Sequence, residues 1–211
     1  IRPRAVMLEN VRGFLDAGFS EYRDHIFTSI QELGYVTHIK LLNASDYGVP
    51  QLRPRVVIVG IRKDQCGAFE YPKERPDSAE SVGKTLYDLM AENGWKKARQ
   101  WAADANWIAP TLVGGSKKHG GPDLGPTRAK NAWAELGVDG KGIANAAPEP
   151  DFEGMPRLTS RMMARIQGFP DTWTFGNRKT IACRMIGNAF PPPVAEAVGK
   201  KIKECLEYAR E

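Results

Sequence analysis

At 211 residues, 42% hydrophobic and 26% charged, the chain has the composition of a globular domain that can bury a sizeable core, which excludes a disordered or fibrous protein. Lys and Arg total 30 against 25 Asp and Glu, and the net charge of +5 suits a polyanionic partner without requiring one. Cys66, Cys183 and Cys205 form no CxxC pair, so neither a zinc site nor a disulfide framework is expected and a reducing, intracellular compartment is the default. No apolar run has the length of a membrane span, and Ile1-Arg2-Pro3-Arg4 does not open a signal peptide. With no initiator methionine, the chain is expected to be a piece of something longer.

In chain order, Ala5-Val6-Met7-Leu8 is a short apolar run of the kind buried on both faces of a sheet, ending at Glu9-Asn10. Ile26, Ile30 and Leu33 recur at helical spacing between Tyr22 and Leu33, with Gly34 as the C-cap. Tyr35 to Leu42 alternates like a half-buried strand, a turn-rich stretch runs from Asn43 to Pro50, and Val56 to Ile61 is a β-branched strand. Between 66 and 157, Gly and Pro become frequent and Gly114 to Pro122 is a basic glycine-rich loop, which predicts a small irregular lobe whose periodicity survives only near Leu86-Leu89-Met90 and Ala132-Trp133-Leu136. Regular structure resumes with a helix from about Ser160 to Gln167 and a closing helix from about Val194 to Glu207. The expected division is therefore 1–65, 66–157 and 158–211.

Four short motifs bear on chemistry. Glu9-Asn10-Val11 ends a strand at the edge where open α/β sheets place ligands, although an isolated pair of this kind also suits a solvated strand end. Gln51-Leu52-Arg53-Pro54-Arg55 leads into the next strand, where arginines two apart share a face and reach one anion or carboxylate; surface salt bridges are the plainer alternative. Arg157-Leu158-Thr159-Ser160-Arg161 through Gln167-Gly168-Phe169-Pro170-Asp171 is a helix capped by Thr159 or Ser160 and stopped by Gly168 and Pro170. Gly187-Asn188-Ala189 followed by Phe190 and three prolines makes a tight turn before the last helix, where backbone can approach a ligand closely.

In this order the motifs, above all the unbroken Leu42-to-Arg55 stretch, resemble the second half of the DNA (cytosine-5) methyltransferases, over about 1–65 and 157–205. The resemblance implies an α/β fold: the carboxyl-terminal part of a Rossmann-like methyltransferase domain, with the irregular lobe inserted as the target-recognition domain. It implies Glu9 and Arg55 as catalytic residues holding a flipped cytosine, supported by Asn10, Gln51 and Arg53. It implies S-adenosyl-L-methionine as cofactor, with Gly187, Asn188 and Ala189 closing its pocket, and double-stranded DNA as partner, met by Thr111, Lys117, Lys118, His119, Arg128 and Lys130. No metal is implied, and the location is cytoplasmic, with the nucleoid in a bacterium.

The resemblance stops short in two places. No cysteine follows a proline, so the family's nucleophile is absent, and so is the glycine-rich loop of the Phe-x-Gly-x-Gly type that forms most of the cofactor site. Ser160 and Met162 also stand where proline and glutamate are usual, which weakens the expected helix cap. The chain is then either a truncated single-chain enzyme, which the missing methionine favours, or one subunit of a split enzyme whose partner carries the other half. In either case it is expected to be inactive alone. An RNA cytosine-5 methyltransferase acting on transfer RNA, or a non-catalytic DNA-binding module, are the alternative readings.

Overall fold

A computed structural model describes residues 1–65, 69–114, 122–176 and 178–208. The regular elements are β1 (Ala5–Val11), α1 (Ser20–Glu32), β2 (Tyr35–Asn43), β3 (Pro54–Arg62), α2 (Val82–Met90), α3 (Ala98–Asp104), α4 (Thr127–Glu135), α5 (Ser160–Ile166), α6 (Lys179–Asn188) and α7 (Pro192–Tyr208). They fall into two compact units, one of Ile1–Asn43, Pro54–Glu74 and Val194–Glu211, the other of Ala44–Arg53 and Arg75–Pro193. The loop at 44–53 and the residues from 158 to 193 thus pack with the lobe rather than with the strands.

The first unit is a three-stranded antiparallel sheet in the order β1-β3-β2. β3 is central because its run of Val56, Val57, Ile58, Val59 and Ile61 has no polar face, and each of these residues is buried. Ile26 and Phe27 of α1 join Phe14 and Leu41 over Val56 and Ile58, and Gly34, at φ +90°, ends the helix. Against the expectation of a strand buried on both faces, Met7, Leu8 and Val11 are 38%, 44% and 55% exposed. Among the described residues β1 pairs only with β3, so it is a marginal strand whose apolar side chains lack a cover.

The second unit is built around one core, on which the short helices of the irregular lobe pack together with α5 and α6. Val82, Leu86, Leu89 and Met90 of α2 pack with Trp95, Trp101, Leu112, Leu124, Trp133, Met163 and Ile166. α2, α3 and α4 are 9, 7 and 9 residues long, too short for a repeating pattern to survive the intervening Gly and Pro. A Cβ on Gly83 would lie 1.9 Å from the Ala102 carbonyl oxygen, so α2 and α3 meet at backbone contact. Thr159 is the cap of α5, accepting the Met162 N–H, and the Met162 thioether accepts the Thr159 N–H at 3.3 Å. Sulfur here completes the reciprocal box that a glutamate usually completes. Gly168, at φ +87°, then stops the chain, where a Cβ would lie 2.7 Å from Pro193.

One group makes the first unit pH-sensitive. The His38 ring on β2 lies 5.2 Å from Phe69, its Nε2 is buried without a hydrogen-bond partner among the described residues, and burial holds its pKa below the ordinary value. The native fold therefore keeps the imidazole neutral, and as pH falls the unfolded chain takes up the proton first. The His38 contribution is complete above about pH 6.5 and is lost progressively below it. Melting curves at pH 7.5 and 5.5 should show a larger drop in Tm for the wild type than for His38→Phe; equal drops would remove His38 as the cause.

Candidate active site

Glu9 and Arg55 meet because of the antiparallel register. Arg55 stands opposite Val11 and Glu9 opposite Val57, so the two are diagonal neighbours on one face, a separation that long side chains bridge. Arg55 Nε lies 3.3 Å from Glu9 Oε2, and Arg55 Nη1 donates to the Pro54 carbonyl at 3.0 Å. The contact is a single ion pair, with the guanidinium plane fixed from its other end. Burial draws the Arg55 pKa below its usual value and the Glu9 carboxylate opposes part of that shift, while a guanidinium stays charged throughout. The Asn10 side chain accepts its neighbour's N–H, that of Val11, at 2.8 Å and so shapes the end of the strand.

Arg53 does not share this face. β3 begins at Pro54, one residue later, and the Arg53 side chain is 0% exposed within the second unit. Its Nη1 donates to the Leu112 carbonyl at 2.7 Å, and its Nη2 to the carbonyls of Gly187 and Ala189 at 2.7 and 3.0 Å. Gln51, also fully buried, accepts the Leu112 N–H at 3.0 Å and donates to Gln167 Oε1 at 2.6 Å and to the Ile166 carbonyl at 3.0 Å. Gln167 donates in turn to the Ala189 carbonyl at 2.5 Å. Residues 109–112 run parallel to 50–53, with the Leu52 N–H on the Ala109 carbonyl and the Ala109 N–H on the Pro50 carbonyl. Gln51, Arg53 and Gln167 are the buried polar residues among those described, and they sit in one network. Gln167, the C-cap of α5, is not among the expected site residues; its place directly after the buried Ile166 is the one local signal of its burial.

The other expected site residues fare differently. Gly187 lies in the last turn of α6 rather than in a free turn, and a Cβ there would lie 2.4 Å from Gly114 N, so protein backbone fills the space. The carbonyls of Gly187 and Ala189 face inward to Arg53 and Gln167, which leaves Asn188 as the exposed residue of the three. The Thr111 hydroxyl donates to the Leu52 carbonyl. Arg128 is exposed on α4, and Lys130 pairs with Asp123 at 2.6 Å. Lys117, Lys118 and His119 lie outside the described residues. The motif arginines Arg157, Arg161 and Arg165 pair with Asp139, Glu92 and Asp88 at 2.8, 3.1 and 2.5 Å, and Arg165 also pairs with Asp171, which holds that carboxyl below its usual range. Cys183 and Cys205 are buried, and burial pushes the Cys183 thiol up. Among the described residues no cluster of His, Cys, Asp and Glu could hold a metal, and no helix is long and apolar enough to cross a membrane.

Residues 1–204 match the model of the C-5 cytosine-specific DNA methylases. The chain belongs to that family. It is 56% identical over 214 residues to the Type II methyltransferase M.NaeI of Lentzea aerocolonigenes, covering all of this chain and 52% of that protein. It is 48% identical over 208 residues to M.NgoMIV of Neisseria gonorrhoeae, covering 97% of this chain and 66% of the relative. The chain thus spans between half and two thirds of the length of these relatives. In fold it is similar to a DNA modification methyltransferase encoded within an E. coli prophage (TM-score 0.62, 21% identity, 98% of this chain and 70% of that one). It is also similar to the S. pombe Dnmt2 methyltransferase (TM-score 0.59, 15% identity, 98% and 66%).

The stretch Gly187-Asn188-Ala189 owes its first residue to packing, which a pair of glycine substitutions can show. Gly187→Ala forces backbone apart at Gly114 and should cost at least the roughly 1–3 kcal/mol of an overpacked core. Gly199→Ala, inside α7 with nothing within 4 Å, should instead stabilise by about 0.5–1 kcal/mol. Urea unfolding of the two variants should move in opposite directions; a neutral Gly187→Ala would mean that the contact with Gly114 is not tight in solution.

Proposed function

We propose that this chain is the base-holding and DNA-reading portion of an S-adenosylmethionine-dependent enzyme that methylates C5 of cytosine in double-stranded DNA, in the cytoplasm with that DNA. The observation that carries the reading is the Glu9–Arg55 pair, an acid and a cation 3.3 Å apart on one face at the end of a strand. Methylation at C5 requires a nucleophile on C6, and the electron density that this addition pushes into the ring collects at N3. A carboxyl at Glu9 hydrogen-bonded to N3 and the 4-amino group supplies or shares the proton that neutralises it. Arg55 donates to the cytosine O2 while it holds Glu9 in place. The ring atoms are out of reach in a stacked duplex, so the base is turned out into the site.

The nucleophile comes from outside these residues. No cysteine here follows a proline, and buried thiols such as Cys183 and Cys205 are poor sources of thiolate. S-adenosylmethionine supplies the methyl group. Of the Gly187–Ala189 turn, Asn188 fits it by an exposed side chain while its two neighbours set the shape of the turn, so this chain contributes one border of the pocket. The amino-terminal portion that completes the site is carried in the same polypeptide or by a partner subunit. Asn10 shapes the strand end beside Glu9, and Gln51 and Arg53 support the site from within.

Tritium transfer from labelled S-adenosylmethionine to DNA tests this reading. The chain alone should transfer none, and with the amino-terminal portion supplied it should turn over. In that assembly Glu9→Gln should lower the rate by roughly 10²–10⁴-fold with little change in DNA affinity. A near-wild-type rate would remove Glu9 from its role.

Sequence specificity belongs to residues 66–157. Their basic side chains, among them Lys117, Lys118, His119, Arg128 and Lys130, together with Thr111, suit contacts to phosphates and base edges in the major groove. Exchanging that segment for a relative's should move the methylated site, read by bisulfite sequencing, while cytosine C5 remains the target. An unmoved site would place recognition elsewhere.

A further inference from the structure

We propose that Arg53 is a positioning residue that ties the strap Thr111–Gly114, on the DNA side, to the turn Gly187–Ala189, on the cofactor side, so that a ligand bound at one changes the affinity at the other. What the two segments carry rests on the function proposed above; the tie itself is read from the geometry.

Three links join the segments. The first is the Arg53 guanidinium, one rigid plane whose Nη1 holds the Leu112 carbonyl and whose Nη2 holds the carbonyls of Gly187 and Ala189. The second runs in parallel: the Leu112 N–H to Gln51, Gln51 to Gln167, and Gln167 to the Ala189 carbonyl. Both polar groups of the strap around Leu112 therefore lead to Ala189. The third is direct backbone contact. A Cβ on Gly187 would lie 2.4 Å from Gly114 N, and one on Gly114 would lie 2.7 Å from Asn188 Oδ1 and 3.1 Å from the Arg184 carbonyl oxygen.

The network has little slack. Arg53, Gln51 and Gln167 are 0% exposed, so water cannot replace a bond that stretches. A shift of the turn must then carry the strap with it or break a charge-assisted bond in a dry interior. Anchoring the strap to the core alone would be served as well by apolar packing, without the cost of desolvating a cation. What the guanidinium adds is simultaneous, directional contact with two segments far apart in sequence, which neither a lysine nor an apolar side chain reproduces.

The test uses the enzyme completed by its amino-terminal portion and a duplex bearing the site mapped by bisulfite sequencing. Duplex affinity is measured with and without saturating S-adenosylhomocysteine, and S-adenosylhomocysteine affinity with and without duplex. In the wild type each ligand should tighten the other by the same factor, roughly five-fold or more. Arg53→Lys should bring that factor close to one while both ligands still bind separately and the protein still melts cooperatively. Gln167→Met leaves Arg53 intact but removes the second link, from Gln51 to the Ala189 carbonyl, and should also lower the factor; it decides the matter if Arg53→Lys does not fold. A wild type without coupling, or a folded variant that keeps it, overturns the proposal. Failure of the wild type to bind either ligand would instead overturn the function proposed above.

Discussion

A guanidinium taken out of water must find acceptors for its N–H groups at once, because each ion so transferred costs several kcal/mol until it is repaid by hydrogen bonds. Arg53 meets that demand with backbone carbonyls from two distant parts of the chain, at Leu112 and at Gly187 and Ala189. The loop that delivers it is folded on itself: the Ala44 N–H reaches the Arg53 carbonyl, the Val49 N–H reaches Ala44, and Gly48 turns at φ +80°. Ala44, Tyr47 and Val49 are buried by this closure. The long run of polar and turn residues before β3 is therefore the frame of a buried cation, and the strap, α5 and α6 take their places around it.

The two arginines of Arg53-Pro54-Arg55 are separated in duty by the proline between them. Proline has no N–H to give a ladder and suits the first residue of a strand, which makes it the point where β3 begins. Arg55 lies inside the strand and inherits its alternation, so the sheet register aims it at Glu9. Arg53 lies before the strand and is free of that alternation, so its direction is set by the carbonyls it must satisfy. One residue of sequence thus divides a half-buried acid–cation pair from an interior support.

Much of this was legible from local pattern. β3, α1 with Gly34, the helix begun at Thr159 and stopped at Gly168, and α7 each follow from side-chain periodicity or backbone preference within a few residues. In the lobe, α2 and α4 leave the periodic traces at Leu86-Leu89-Met90 and Ala132-Trp133-Leu136, whereas α3 buries only Ala98 and Trp101 and leaves none. β1 was misread for a different reason: an apolar run records a need for cover, not the presence of one. At the site, the identity of Glu9 and Arg55 was readable but their diagonal contact was not, since it depends on an antiparallel pairing between strands more than forty positions apart. The acceptors of Arg53 were least accessible of all, for Leu112, Gly187 and Ala189 contribute backbone atoms that no side-chain pattern marks.

The uncovered margin of β1 has a practical side. Between Ala5 and Val11 there is neither a lysine nor a proline nor a bulge to discourage another strand from adding to it, and Met7, Leu8 and Val11 present apolar surface along the same run. Proteins ordinarily blunt such margins, because rows of unsatisfied N–H and C=O groups recruit any extended chain at hand. Handled by itself at high concentration, this polypeptide is its own most abundant source of such chains, and β1 offers them a place to add.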